Sequence, residues 1–416
     1  MKINFAVGIL TIVMLLGFDS QAQTTNQLSS PYSFFGMGKL NDISVGKTNA
    51  LGRSGITFSS ETEINMLNPA SFAKVKLNSF LFDIGARAEQ TDFESDKDQS
   101  NFKTFNFSSL AFAFALDDKS GIAFSVIPFS DANYYLDGIE TAVEGSNQTF
   151  RSNVSGSGGI NNLKISYGRS FSEKLRLGLD FNYYFGTINE NEIISLNNDY
   201  MTIDKKSFYR GIRPVLGLQY DHNAKINFSA VLAFPSYLKG SRDTEISKII
   251  DGTESVVEAS VDKDIKGFKL PTELTVGFKY QPLKTLSLNA DYRRSFWSAT
   301  GIEDNIGTFE DQDFIGFGAE YYTDKGANNF WKKIRYRLGC NFDNGYLAVN
   351  GHKVENFLLT TGLGIPLNTK TQNFVNISYG YGQRGKVSDI LIKENYHFLT
   401  LNLSFEDIWF VKRKYN

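Results

Sequence analysis

From Ser79 onward the chain alternates apolar and polar residues with a period of two. Leu175, Leu177, Leu179, Phe181, Tyr183 and Phe185 interleave with Arg176, Gly178, Asp180 and Asn182. Leu286, Leu288, Ala290 and Tyr292 interleave with Ser287, Asn289, Asp291 and Arg293, and Leu399, Leu401, Leu403 and Phe405 with Thr400, Asn402 and Ser404. Successive side chains of a strand point to opposite faces, so this is strand periodicity, and no long segment keeps a helical repeat. The pattern predicts fourteen strands at about 79–89, 108–117, 120–134, 159–171, 175–188, 207–220, 226–236, 269–281, 286–295, 312–322, 331–342, 353–365, 371–383 and 394–405. Most lie near the ~9–11 residues with which a tilted strand crosses a bilayer.

The connections alternate too. Even-numbered strands lead into short turns at 118–119, 172–174, 221–225, 282–285 and 366–370, with 323–330 somewhat longer. Odd-numbered strands lead into long polar segments at 90–107, 135–158, 189–206, 237–268, 296–311, 343–352 and 384–393. Outer-membrane barrels keep tight turns at one end and long loops at the other, and a soluble sandwich has no reason to do so. The expected fold is therefore all-β: a 14-stranded antiparallel transmembrane β-barrel over residues 79–405. It belongs in the outer membrane of a Gram-negative cell, with the short turns periplasmic and the long loops extracellular.

Parity then sorts the side chains. Asp83, Arg87, Lys164, Arg176, Asp180, Arg213, Lys279, Asp291, Arg293, Arg335 and Arg337 fall opposite the apolar set and face the lumen. Charge is tolerated there, whereas on the lipid face it costs ~2–4 kcal/mol near the midplane. Cys340 falls on the lipid face with Ile334, Tyr336, Leu338 and Phe342, as a small apolar filler.

Composition narrows the picture further. Aromatic residues make up 14% of the chain, led by 36 Phe and 20 Tyr against only 8 Pro, which suits long strands with rings at membrane interfaces. A mean hydropathy of −0.25 is no argument against a membrane, because only alternate residues meet lipid. A single cysteine excludes an intrachain disulfide, and 43 Lys+Arg against 45 Asp+Glu leaves no basic excess for nucleic acid. At the start, Lys2, the apolar run Phe5 to Phe18 and Ser20-Gln21-Ala22 predict a signal peptide over 1–22, cleaved before Gln23. No cysteine follows that site, so a lipoprotein is not indicated.

Residues 23–78 precede the strand array as a lead and hatch, and 406–416 follow it as a periplasmic tail with Trp409, Phe410 and Lys412-Arg413-Lys414. Within the first segment, Gly46-Lys47-Thr48-Asn49-Ala50-Leu51-Gly52-Arg53-Ser54-Gly55 is followed by Asn65-Met66-Leu67-Asn68-Pro69-Ala70-Ser71. A Gly- and Ala-rich run ending in Asn-Pro-Ala just before the first strand resembles the FadL family of outer-membrane transporters for long-chain fatty acids and other hydrophobic molecules. Ser30-Pro31-Tyr32-Ser33 and the tail also look like family members with a longer lead, among them a PorV-like group that serves a protein-secretion apparatus. The resemblance implies fourteen strands, an N-terminal hatch filling the lumen and passive, ligand-triggered passage. Asn68, Pro69 and Ala70 form the candidate hatch motif, read either as a structural turn or as a gating element. Pro69 fixes its own φ and biases Asn68 toward extended backbone.

In the third strand, Pro128-Phe129 interrupts the alternation, and a proline belongs at an edge or bulge because it donates nothing to the ladder. The resemblance implies an inward kink there with a lateral gap in the wall; a sheared strand end is the plainer reading. Arg87, Arg176, Arg213, Arg293, Arg335 and Arg337 are candidate lumen charges, either holding a carboxylate headgroup or pairing with Glu61, Glu63, Asp83, Asp180 and Asp291. Acidic runs at Asp92, Glu94, Asp96 and Asp98, and at Glu303, Asp304, Glu310, Asp311 and Asp313, lack a calcium-loop register and read as solvated loop faces. His222, His352 and His397 are too scattered for a metal site. No Ser-His-Asp arrangement is present in the pattern, so no catalytic residue, metal or cofactor is assigned.

The expected function is passive uptake of small hydrophobic, fatty-acid-like molecules through a hatch-plugged barrel with lateral exit. Outer-membrane lipid and a hydrophobic ligand are then its partners. The rival is a non-transporting barrel subunit of an outer-membrane protein secretion or assembly machine, docking through the lead and the tail.

Overall fold

The computed structural model describes residues 30–41, 44–96, 99–142, 145, 149–196, 199–250, 253–302, 307–323, 330–367, 373–388 and 391–408. The expected signal peptide, residues 23–29 of the lead and the tail from Trp409 onward lie outside the described residues.

A 14-strand antiparallel sheet closes on itself. Its strands are β1 (Ser79–Glu94), β2 (Gln99–Asp117), β3 (Ser120–Pro128, then Tyr134–Ala142), β4 (Thr149–Ser170), β5 (Leu175–Leu196), β6 (Asp199–Asp221) and β7 (Ile226–Ala233, then Ser236–Ile250). They continue as β8 (Thr253–Leu270, then Glu273–Leu283), β9 (Leu286–Ser295), β10 (Gln312–Tyr322), β11 (Arg335–Asp343), β12 (Asn356–Pro366), β13 (Phe374–Arg384) and β14 (Lys393–Ile408). Closure is made by β14 returning antiparallel to β1, Ser79 opposite Ile408. Every neighbour pair in the ring is hydrogen-bonded over at least part of its length, as a lipid-exposed backbone requires.

The alternation behaves as parity demands. Phe181 and Tyr183 on β5 are exposed on the outside, 52% and 41%, while Arg176 and Asp180 on the same strand are buried at 1% and 0%. Cys340 sits half-exposed between outward Leu338 and Phe342. Ile334 departs from the expected lipid face: it precedes β11, after a short 3₁₀ turn at Phe330–Lys333, and is buried.

Several segments expected as long loops are instead strand. Most of 90–107, 135–158, 189–206 and 237–268 continues the ladder, so β5 runs for 22 residues and β6 for 23. That is about twice the ~9–11 residues needed to cross a bilayer. Beyond the apolar band neither face meets lipid, so the polar extensions carry no alternation to mark them. Strands β3 to β8 therefore project past the barrel wall at the long-loop end as one sheet, joined pair by pair. At the other end β14 extends through Ile408, three residues past the expected limit at 405.

β7 and β8 are each broken once, β7 before Pro235-Ser236 and β8 at Pro271-Thr272. A proline cannot donate to the ladder, which locates both breaks. The long connections after β9 and β11 are ordered as a small sheet of Gly307–Phe309, Leu347–Val349 and His352–Lys353. With the 3₁₀ turn Trp297–Thr300 they form a lid at the long-loop end. Trp297, Phe268, Phe309, Leu347 and Val349 pack there with Tyr32, Phe35 and Met37 from the N-terminal segment.

Candidate functional site

The segment before β1 lies inside the ring and runs down it. Ser30 hydrogen-bonds Glu394, and the Tyr32 hydroxyl donates to the Ile392 carbonyl at 2.6 Å, both at the long-loop end of β14. At its other end Lys74 pairs with Asp221 at 3.1 Å, beside the short turn after β6. The described part of the lead therefore lies at the long-loop end, away from the short turns. It is built into the lid.

Asn68 organises the descending chain. Its side-chain oxygen accepts from the Ala70 amide at 3.0 Å, capping a 3₁₀ turn over Pro69–Lys74, and Pro69 occupies the first position, where no amide is needed. Its amide nitrogen donates to the Ile56 carbonyl and to the Leu218 carbonyl of β6, each at 3.1 Å, so one side chain ties turn, inner segment and wall together. Asn68→Ala removes the cap and leaves two carbonyls short of a donor. The expected loss is about 1–2 kcal/mol, read as about five- to thirtyfold faster amide exchange over 69–74.

The wall is shaped to receive this turn. Gly121, Gly168, Gly178 and Gly217 face one another across β3, β4, β5 and β6, in register. A Cβ on Gly168 or Gly178 would run into the backbone of Pro69–Ala70, and one on Gly121 into the Phe72 carbonyl. A second smooth patch at Gly318 and Gly339 receives Leu51 and Gly52.

Charge holds the middle of the segment. Glu63 meets Arg335 of β11 at 2.7 Å, Lys47 of the same segment at 3.2 Å and Arg337 at 4.0 Å. Arg337 also binds Glu320 of β10 at 2.7 Å. Across the lumen, the Asp291 carboxylate accepts from the backbone amides of Gly55 and Ile56 at 2.5 and 3.0 Å. Of the candidate arginines, Arg335 and Arg337 reach the inner segment. Arg176 is bidentate on Asp221 at 2.7 and 2.8 Å, Arg213 binds Glu273 at 3.1 Å, and Arg87 binds Glu89 at 2.5 Å. Arg293 has no ion pair among the described residues and lies over the Phe314 ring at 4.7 Å. Glu61 is exposed and meets none of these arginines, Asp83 bonds Ser404 and Asn402, and Asp180 pairs with Lys164 at 2.7 Å.

The third strand leaves the wall where Pro128 ends its lower half. Phe129 donates to the Ile160 carbonyl at 2.7 Å, and Ser130–Asp131 then pair with Lys39–Leu40 of the N-terminal segment inside the barrel. The chain rejoins the wall at Tyr134, on β4. Consequently β2 pairs with β3 only from Leu110 to Asp117, and its outer half, 99–109, has β1 as its sole ladder partner among the described residues. The wall is open between that outer half and β3. Gly158 and Gly159 on β4, at φ +99° and +155°, give the inward loop its room: a Cβ on Gly159 would strike the Ser130 carbonyl.

A cavity of about 710 Å³ lies behind this opening. Thr104, Asn106, Phe107 and Ser108 of β2 border it on one side, Gly159, Phe185 and Thr187 on the other, with Lys39, Leu40 and Arg53 within. Leu40, Phe107, Ile127, Pro128 and Phe185 supply apolar surface, while Arg87, Glu89 and Asp131 supply polar groups. Between the inner segment and the lid lies a second chamber of about 130 Å³.

Of the acidic loop residues that are described, Asp311 and Asp313 pair with Arg294, each at 3.3 Å, Glu310 with Lys353 at 3.4 Å and Glu94 with Lys393 at 3.6 Å, while Asp96 is exposed. The Ser298 hydroxyl and amide hold the Asp311 carboxyl below its usual range. Asp98, Glu303 and Asp304 lie outside the described residues.

A closed antiparallel barrel of fourteen strands around an N-terminal segment, with one wall strand folded inward, defines an outer-membrane β-barrel. The chain belongs to the BamG family, whose model matches residues 3–416. Among solved structures it is similar to the monoaromatic hydrocarbon channel CymD, with 15% identity and a TM-score of 0.60 over 88% of this chain and 98% of that one. The toluene transporter TbuX of Ralstonia pickettii gives 17% and 0.57 over 89% and 99%. A FadL homologue of Pseudomonas aeruginosa gives 10% and 0.54 over 93% and 100%. The likeness to FadL channels holds at the level of fold. No curated protein matches the sequence.

Proposed function

We propose that the protein lets small hydrophobic molecules cross the outer membrane passively. The 710 Å³ cavity and the wall opening beside β2 form their route, and the inner segment acts as a hatch closing the rest of the lumen. The observation that carries this reading is the third strand folded inward at Pro128, which joins an internal cavity to the wall. Pockets of ~300–1,000 Å³ hold drug-sized ligands, so a chain of fatty-acid type or an aromatic hydrocarbon fits by volume. Lateral exit would deliver such a molecule to lipid, its natural solvent, without crossing water. The long-loop end then faces outside. The similar channels are described as carrying toluene and monoaromatic hydrocarbons, which supports the substrate class.

A second reading, a non-transporting subunit of an outer-membrane protein secretion or assembly machine, is favoured by the projecting sheet. Among the described residues its β3 and β8 extensions each have a single ladder partner. The β8 extension exposes Val256, Val257 and Val261, the last at 80%. An open strand edge with apolar side chains is a template for pairing with another chain.

Purification in mild detergent separates the two. A monomeric barrel carrying lipid-like molecules is the expected result. Stable co-purifying subunits around a barrel that carries none would transfer the assignment to the second reading.

A further inference from the structure

We infer that the chamber between lid and inner segment binds one small organic anion, an aromatic carboxylate of about benzoate size, with Arg293 as its charged ligand. The chamber measures about 130 Å³. A buried apolar cavity of roughly 150 Å³ takes one benzene ring, so a single ring with a small polar group is the right scale. Its walls supply both halves of such a molecule. Tyr32, Phe129, Trp297, Tyr346 and Leu347 offer rings and apolar surface on the lid side.

The charged half is set by an imbalance. Lys39, Arg53, Arg213, Arg293 and Arg384 line the chamber, against Glu273 and Asp343. Four of the cations are engaged locally: Arg213 by Glu273 at 3.1 Å, Arg384 by Glu394 at 2.9 Å, Lys39 by Glu89 at 3.6 Å and Arg53 over the Phe398 ring at 5.9 Å. Arg293, over the Phe314 ring, makes no ion pair or hydrogen bond among the described residues, and its buried Nε has no acceptor. Its nearest acid along β9, Asp291, instead takes the amides of Gly55 and Ile56.

Trp297 lies four residues further along, only 2% exposed, and its Nε1 is a second buried donor without an acceptor. Arg293 is only partly exposed and its Nε is a buried donor without an acceptor, so an anion with apolar bulk supplies the partner that a neutral hydrocarbon lacks. A cationic guest is opposed by the same imbalance. Arginine meets a carboxylate through charge-assisted, often bidentate hydrogen bonds. The inference concerns binding alone and does not depend on passage through the barrel.

The test is calorimetric titration of the full-length protein in non-ionic detergent with benzoate, beside benzamide as its neutral isostere. Tryptophan emission, with Trp297→Phe as the control for Trp331 and Trp409, serves as a second readout. Saturable 1:1 binding of benzoate is expected, weakened about tenfold or more by Arg293→Met and retained within a few fold by Arg293→Lys. Benzamide should bind about tenfold or more weakly than benzoate. Because Arg293 makes no ion pair among the described residues, Arg293→Met should keep the heat-modifiable mobility of a folded barrel, which is checked first. If that variant fails to fold, the benzamide comparison on the native protein decides. No saturable benzoate binding, equal binding of benzamide, or an unweakened, folded Arg293→Met protein would each overturn the assignment.

Discussion

Glu63→Gln is expected to unseat the inner segment and turn a closed barrel into a conducting one. Three cations converge on that single carboxylate: Arg335 at 2.7 Å, Lys47 at 3.2 Å and Arg337 at 4.0 Å. All are largely withdrawn from water, with side-chain exposures of 10%, 9% and 0%. Removing one partner of a buried ion pair costs about 3–5 kcal/mol, since the remaining charge is stranded. Glutamine keeps the shape and discards the charge, so the wall loses nothing but its electrostatic hold on the segment. Arg337 retains Glu320 at 2.7 Å, whereas Arg335 is left over the Phe374 ring at 4.2 Å and Lys47 over the Phe58 ring at 4.3 Å. In a planar bilayer the variant should open frequently where the native protein stays closed. Protease should also cut within 55–78. A variant as silent and as resistant as the native protein would mean that packing, not charge, holds the segment.

The packing is the subject of the second expectation. Gly178→Val puts a branched side chain where the Pro69–Ala70 backbone lies against β5. The change suits the strand itself, because valine favours extended backbone. What objects is the turn, and backbone cannot move aside as a flexible side chain can. Overpacking costs about 1–3 kcal/mol, and here relief is available only by lifting the turn away, with loss of the Asn68 bonds to Ile56 and Leu218. The barrel should keep its heat-modifiable mobility while amides over 69–74 lose protection. Unchanged protection would show that the glycine row is not a seat.

These residues mark what the sequence does and does not carry. Strand number and facing follow from period-two alternation, because lipid on one side and a polar lumen on the other impose opposite chemistry on neighbouring residues. Pro128 is legible for a related reason: a missing donor is a property of the residue alone. The strand extensions are not legible, since past the membrane neither face has a fixed solvent. The glycine row is invisible until register aligns Gly121, Gly168, Gly178 and Gly217, which lie far apart in the chain. Register likewise selects Glu63 over Glu61, two acids with the same local setting and opposite exposure. The lid sheet, with strands of three residues or fewer, is too short to leave a periodic trace.

The opening beside β2 gives the route its most direct test. Asn106 is exposed and borders both the opening and the cavity, so Asn106→Trp fills the gap without disturbing packed structure. The measurement is uptake of labelled toluene into vesicles with a lipopolysaccharide outer leaflet, whose polar sugar layer is the barrier, containing native or Asn106→Trp protein. The account predicts faster uptake with the native protein than with empty vesicles, and uptake near the empty-vesicle rate with the variant. Native protein that adds nothing, or a variant that conducts as well as the native barrel, would contradict it.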